Sequence, residues 1–110
     1  MITSAQEWTE EERTEKIAEA MMALGLDAST EDTGGGIVCI VIPRTDGGAI
    51  SWGTADLTWG AAITDEDGQQ VSYINTECPS NSNDVDGTAK ALFDASLRNG
   101  AVRNRSSRLL

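Results

Sequence analysis

The stretch Ile37-Val38-Cys39-Ile40-Val41-Ile42-Pro43-Arg44-Thr45-Asp46-Gly47-Gly48-Ala49-Ile50-Ser51-Trp52-Gly53-Thr54 decides how the chain folds. Residues 37–42 form a continuous, mostly β-branched apolar run, the pattern of a strand buried on both faces. Pro43 ends the run, and Thr45-Asp46-Gly47-Gly48 is a hairpin signal. Beyond it Ile50, Trp52 and Thr54 alternate along a second strand. Leu57, Trp59, Ala61 and Ile63 alternate along a third, Asp65-Glu66-Asp67-Gly68 makes a turn, and Val71, Tyr73 and Asn75 alternate along a fourth. Upstream, residues 27–33 read as an edge strand and Gly34-Gly35-Gly36 as its turn. All these connections are short, so the strands form an antiparallel meander.

A helix flanks the strands on either side. Thr9 is an N-cap, Glu12 completes a capping box, and Glu10 to Glu12 suit the positive helix end. Ser4 with Glu7 offers an earlier start of the same kind. Ile17, Met21 and Leu24 recur at i, i+4 and i+7, and Gly25-Leu26 supplies a stop, giving a helix over 9–24. Near the other end Ser82 or Asn83 caps a helix with Asp84 and Asp86 in its first turn. Its stripe is Val85, Ala89, Leu92 and Ser96, beside Phe93 and Leu97, and Asn99-Gly100 stops it. The expected fold is α+β: a two-layer sandwich with a four- to five-stranded meander and an N-terminal and a C-terminal helix on one face. One acidic domain over residues 1–100 and a basic, aperiodic, flexible tail over 101–110 are expected.

Composition then narrows function. The 110 residues include 8 basic and 18 acidic side chains and no histidine, for a net charge of −10. The missing imidazole excludes Ser-His-Asp chemistry and His-ligated metals. The charge disfavours direct binding of nucleic acid. No apolar run is long enough for a membrane span, and Met1-Ile2-Thr3-Ser4 does not begin a secretory signal, so a cytoplasmic protein is expected. Val, Ile, Leu and Phe make up 21 residues, few enough at this charge to warn of disorder, but the periodicity argues for a fold.

Three stretches carry a resemblance: TGGGIVCIVI (33–42), GTADLTWG (53–60) and CPSNSNDVDGTAKAL (78–92). They resemble segments of small uncharacterised proteins of actinobacteria and their phages. The resemblance spans residues 33–92 and implies no activity. It points toward a phage or mobile-element accessory protein.

Charge is segregated along the chain. Arg98, Arg103, Arg105 and Arg108 are its last charges, which leaves residues 1–97 with four basic against eighteen acidic residues and a charge of −14. Such a body attracts basic partners and can occupy a surface built for a polyanion. Solubility alone accounts for the same acids. On the first helix Glu11, Glu12, Glu15 and Glu19 fall opposite the apolar stripe, and Glu12 with Lys16 offsets part of their repulsion. They form a candidate binding row or an ordinary solvated face. Trp52, Trp59 and Tyr73 lie on neighbouring strands. They form an aromatic patch if they share the open sheet face, and core if they point at the helices.

The remaining motifs read as structural. The glycine triplet lacks the lysine of a phosphate cradle, and residues 65–68 lack the ligand spacing of a calcium loop. Cys39 reads as a buried hydrophobe and Cys78 as a loop residue, with neither a zinc site nor a disulfide expected. No nucleophile has a visible activator, and no cofactor or metal is expected. The leading reading is a non-enzymatic acidic protein that binds a basic protein, such as a nucleic-acid-binding enzyme, in the manner of an anti-CRISPR, anti-restriction or nuclease-immunity inhibitor. The alternatives are a small-ligand or nucleotide binder that uses the Trp/Tyr patch, and a minor structural or assembly protein.

Overall fold

The computed structural model describes residues 9–32, 38–55, 58–80, 82 and 84–103. The expected start at Ser4 and Glu7, the glycine turn at 34–36, Leu57, Arg105 and Arg108 lie outside them. The elements are α1 (Glu10–Leu24), β1 (Ser29–Asp32), β2 (Val38–Pro43), β3 (Ala49–Ala55), β4 (Thr58–Thr64), β5 (Gln70–Pro79) and α2 (Val85–Leu97). The five strands form one antiparallel sheet in the order β1-β2-β3-β4-β5. This is the expected α+β meander flanked by two helices.

Local chemistry sets the helix ends. The Glu12 backbone N–H donates to Thr9 Oγ1 at 3.1 Å, and the Thr9 N–H donates to Glu12 Oε1 at 3.0 Å, closing the capping box. Gly25 ends α1 at φ 117°, and the Leu26 N–H reaches back to the Met21 carbonyl at 3.2 Å. Asp84 caps α2, in place of Ser82 or Asn83: its Oδ1 accepts from the Gly87 N–H at 3.0 Å.

The strands take their faces from the register. Ile40 lies beside Trp52, Ile42 beside Ile50, Trp52 beside Ala61 and Ile50 beside Ile63. These residues are buried together with Ile17 and Met21 of α1 and Ala89 and Leu92 of α2, so both helices cover this one face. Leu24 does not join the stripe. It is 42% exposed, and Thr14, Ile17, Ala18 and Met21 form the buried face, with Leu26 filling the core beyond the cap. The expected strand 37–42, of which Ile37 lies outside the described residues, is likewise not buried on both faces over residues 38–42. Ile40 and Ile42 are buried, while Cys39 and Val41 are half-buried on the side without helices.

Two loops fold through their own side chains. In the β2–β3 turn Gly47 takes φ 95°, and Asp46 Oδ1 accepts from the Gly48 N–H at 2.9 Å. In the β4–β5 turn Asp65 Oδ1 accepts from the Asp67 and Gln69 N–H groups, both at 2.9 Å. A Cβ at Gly48 would overlap the backbone carbonyl of Thr64. Gly48→Ala is therefore expected to cost about 1–3 kcal/mol, because backbone must move to admit it. Gly53→Ala meets open space and should be neutral or slightly stabilising, and urea titration of the two variants beside wild type checks both expectations.

The chain end departs from expectation. Residues 101–103 are docked: Ala101 is buried, bridges pair Leu26 with Arg103 and Arg44 with Ala101, and the Val102 N–H donates to the Pro43 carbonyl at 2.8 Å. The body therefore runs past residue 100. Backbone pairing to β2 and to the segment after α1 supplies the order that side-chain periodicity does not announce. Strand β5 also runs longer than expected and takes in Cys78, which packs against the core. A register shift between Thr58 and Gly60 accommodates the extra length.

Candidate functional site

The acidic row sits on the outside of α1. The helix buries Thr14, Ile17, Ala18 and Met21, and the 100° step then turns Glu11, Glu15 and Glu19 away from the core. All three are exposed, and their carboxylates make no hydrogen bond or ion pair with another described residue. Glu12 is exposed too, but its carboxylate is committed to the cap. Glu10 is tied inward, accepting from Thr54 Oγ1 at 2.8 Å, which pins the start of α1 to β3.

The described ion pairs lie elsewhere. Arg44 meets Asp46 at 3.1 Å in the hairpin, and Lys90 meets Asp94 at 3.8 Å along α2. The α1 row is thus an array of carboxylates rising about 6 Å per step of four residues. Beside it Glu15, Ala18, Glu19 and Met22 face Ala28, Ser29 and Thr30 across a shallow groove between α1 and the edge strand β1. Met22 is 43% exposed, an apolar contact among the acids. Glu31 and Asp32 continue the negative surface along exposed β1. Sequence reasoning missed Met22, although its position three residues after Glu19 and seven after Glu15 puts it on the same helix side.

The aromatic patch does not assemble. Trp52 and Trp59 face the helices with 0% and 1% exposure, and Trp52 Nε1 donates to Ser96 Oγ of α2 at 2.8 Å. Tyr73 points the opposite way: it pairs with Ala62, its hydroxyl lies over Gly60, and it is 46% exposed. The three aromatics lie on opposite sides of the sheet, so they offer no shared stacking surface. The buried Trp59 Nε1 has no acceptor among the described residues.

Cys39 lies on the open face beside Glu31 in the β1–β2 register. Burial raises its thiol pKa, and the Glu31 carboxylate raises it further, so the thiol stays protonated at neutral pH and is a poor nucleophile. Both described cysteines are free. Among the described residues no group of three or more Cys, Asp and Glu could hold a metal, and no helix is long and apolar enough to cross a membrane.

No family model, curated protein or solved structure matches the chain. The site's chemistry therefore rests on its residues: exposed carboxylates in a row, one exposed methionine, and an adjoining strand edge.

Proposed function

We propose that this protein binds a basic protein surface through the outer face of α1 and the groove beside β1, and acts by occupying that surface rather than by catalysis. The observation that carries this reading is the row Glu11, Glu15 and Glu19, exposed and unneutralised by other described residues. Like charges at i, i+4 each cost an isolated helix about 0.2–0.5 kcal/mol, so a row of them weakens α1. A cationic partner removes that cost on binding. A nucleic-acid-binding enzyme fits the chemistry, because its basic groove is built for regularly spaced anions. Inhibitors of the anti-CRISPR, anti-restriction or nuclease-immunity kind act in this way, and the resemblance to phage and actinobacterial proteins suits it. The ligand-binding alternative loses its support with Trp52 and Trp59 buried.

The test is charge reversal. The triple variant E11K/E15K/E19K should keep its fold, since the three positions lie off the buried stripe. Basic partners captured from cell extract by the wild-type protein are identified by mass spectrometry, and association with the purified partner is then timed at low and high salt. The variant should associate at least about tenfold more slowly at low salt, with the difference closing as salt screens the field. Equal rates at low salt would make this face ordinary solvated surface.

A further inference from the structure

Residues 104–110, Asn-Arg-Ser-Ser-Arg-Leu-Leu, lie outside the described residues, but the fold sets where they depart from. The Val102 carbonyl accepts from the Asp27 N–H at 3.1 Å, and Arg103 lies opposite Leu26 in an antiparallel bridge. The next step of the chain therefore heads past Gly25 toward the C-terminal end of α1. That end has no basic residue in its last turn, although the helix dipole favours a cation there. Two grooves border α1 near that end. One, between α1 and α2, is lined by Ala20, Ala23, Leu24, Asp86, Ala89 and Lys90, so its one acid is offset by one base. In the other, Glu15, Glu19 and Met22 of α1 face Ser29 and Thr30 of β1, and no described residue lining it is basic.

We propose that residues 104–110 turn back along α1 and lie in the groove beside β1, with Arg105 at Glu19 and Arg108 at Glu15. Connectivity and charge select this occupant. The segment carries two arginines and no acid, and it is tethered beside the end of α1. An extended chain advances about 3.3 Å per residue, which puts Arg105 about 7 Å and Arg108 about 16 Å beyond Arg103. A helix rises about 1.5 Å per residue, so Met22, Glu19 and Glu15 lie about 6, 10 and 16 Å back from Leu26. Arg108 thus comes level with Glu15, and the apolar stem of Arg105 crosses Met22 to bring its guanidinium to Glu19. Exposed pairs of this kind are individually weak, so the segment covers the face without locking it. The consequence for binding rests on the partner reading given above: the segment is an internal stand-in for the basic surface, and the partner displaces it.

The test needs no partner. Amide chemical shifts of the full chain are compared with those of a chain ending at Arg103, which keeps the backbone bonds of residues 101–103. At low salt, removing residues 104–110 should move the amides of Glu15, Glu19, Met22, Ser29 and Thr30, and high salt should abolish most of that difference. The full-length R105E/R108E should show the shortened chain's shifts at these positions. Glu15 and Glu19 are exposed and lie off the buried face of α1, so E15K/E19K should fold, as circular dichroism checks. In E15K/E19K, removing the segment should no longer move Met22, Ser29 and Thr30. In E15K/E19K/R105E/R108E, where both signs are exchanged, it should move them again. Shift differences confined to the neighbours of Arg103, differences at Asp86, Ala89 and Lys90 in place of Ser29 and Thr30, or a quadruple variant unmoved by the deletion would each overturn the docking. Any of these would leave the partner reading standing, since that is judged by the association rate of E11K/E15K/E19K.

Discussion

Trp52→Ala is expected to destabilise the protein by about 3–5 kcal/mol, the usual cost of removing a large buried aromatic. Trp52 has 0% exposure, lies between Ile40 and Ala61 in the sheet, and bonds across to α2 through Ser96. The substitution opens a cavity at the helix–sheet interface and strands the buried Ser96 hydroxyl. Ser96→Ala keeps the ring but removes the acceptor, and should cost about 1–3 kcal/mol for the unsatisfied indole N–H. The double variant should cost less than the two losses combined, because both single variants break the same bond. Urea titrations of the four proteins give the comparison. A Trp52→Ala loss below about 1 kcal/mol would place the ring outside the core.

Shortening the chain from Arg103 to Gly100 is expected to cost about 2–4 kcal/mol, at about 0.5–1.5 kcal/mol for each lost hydrogen bond. The bonds are from the Asp27 N–H to the Val102 carbonyl, from the Val102 N–H to the Pro43 carbonyl, and from the Ala101 N–H to the Ser96 carbonyl. Ala101 is also 7% exposed and part of the core. The comparison is between chains ending at 103 and at 100, so it isolates three residues. Melting curves that coincide would show that this segment contributes pairing without stability.

The acidic row was legible from the sequence, since four glutamates opposite an apolar stripe follow from the helical step alone. That Glu11, Glu15 and Glu19 lack partners among the described residues was not, because Arg13, Lys16 or a distant arginine could each have reached them, and only the fold sets where those side chains sit. The groove beside the row was hidden for the same reason. Met22 reads as one more helical methionine until β1 packs alongside and leaves it at the groove's edge.

By itself the sequence determined the elements and their order. Thr9 with Glu12, Gly25, the Asp-Gly turns and the alternation of Ile50, Trp52, Trp59, Ala61 and Ile63 act over a few residues, so their effects are local and readable. Tertiary structure alone decided which side of the sheet is core. A two-residue period sorts a strand into two faces but leaves them equivalent until the helices cover one, which buried Trp52 and Trp59 and left Tyr73 outside. It also decided the fate of residues 101–103, whose order comes from backbone bonds to residues 27, 43 and 96. Residues 27 and 43 are distant in the chain, and backbone groups are the same in every residue but proline, so no pattern of side chains records the pairing with them.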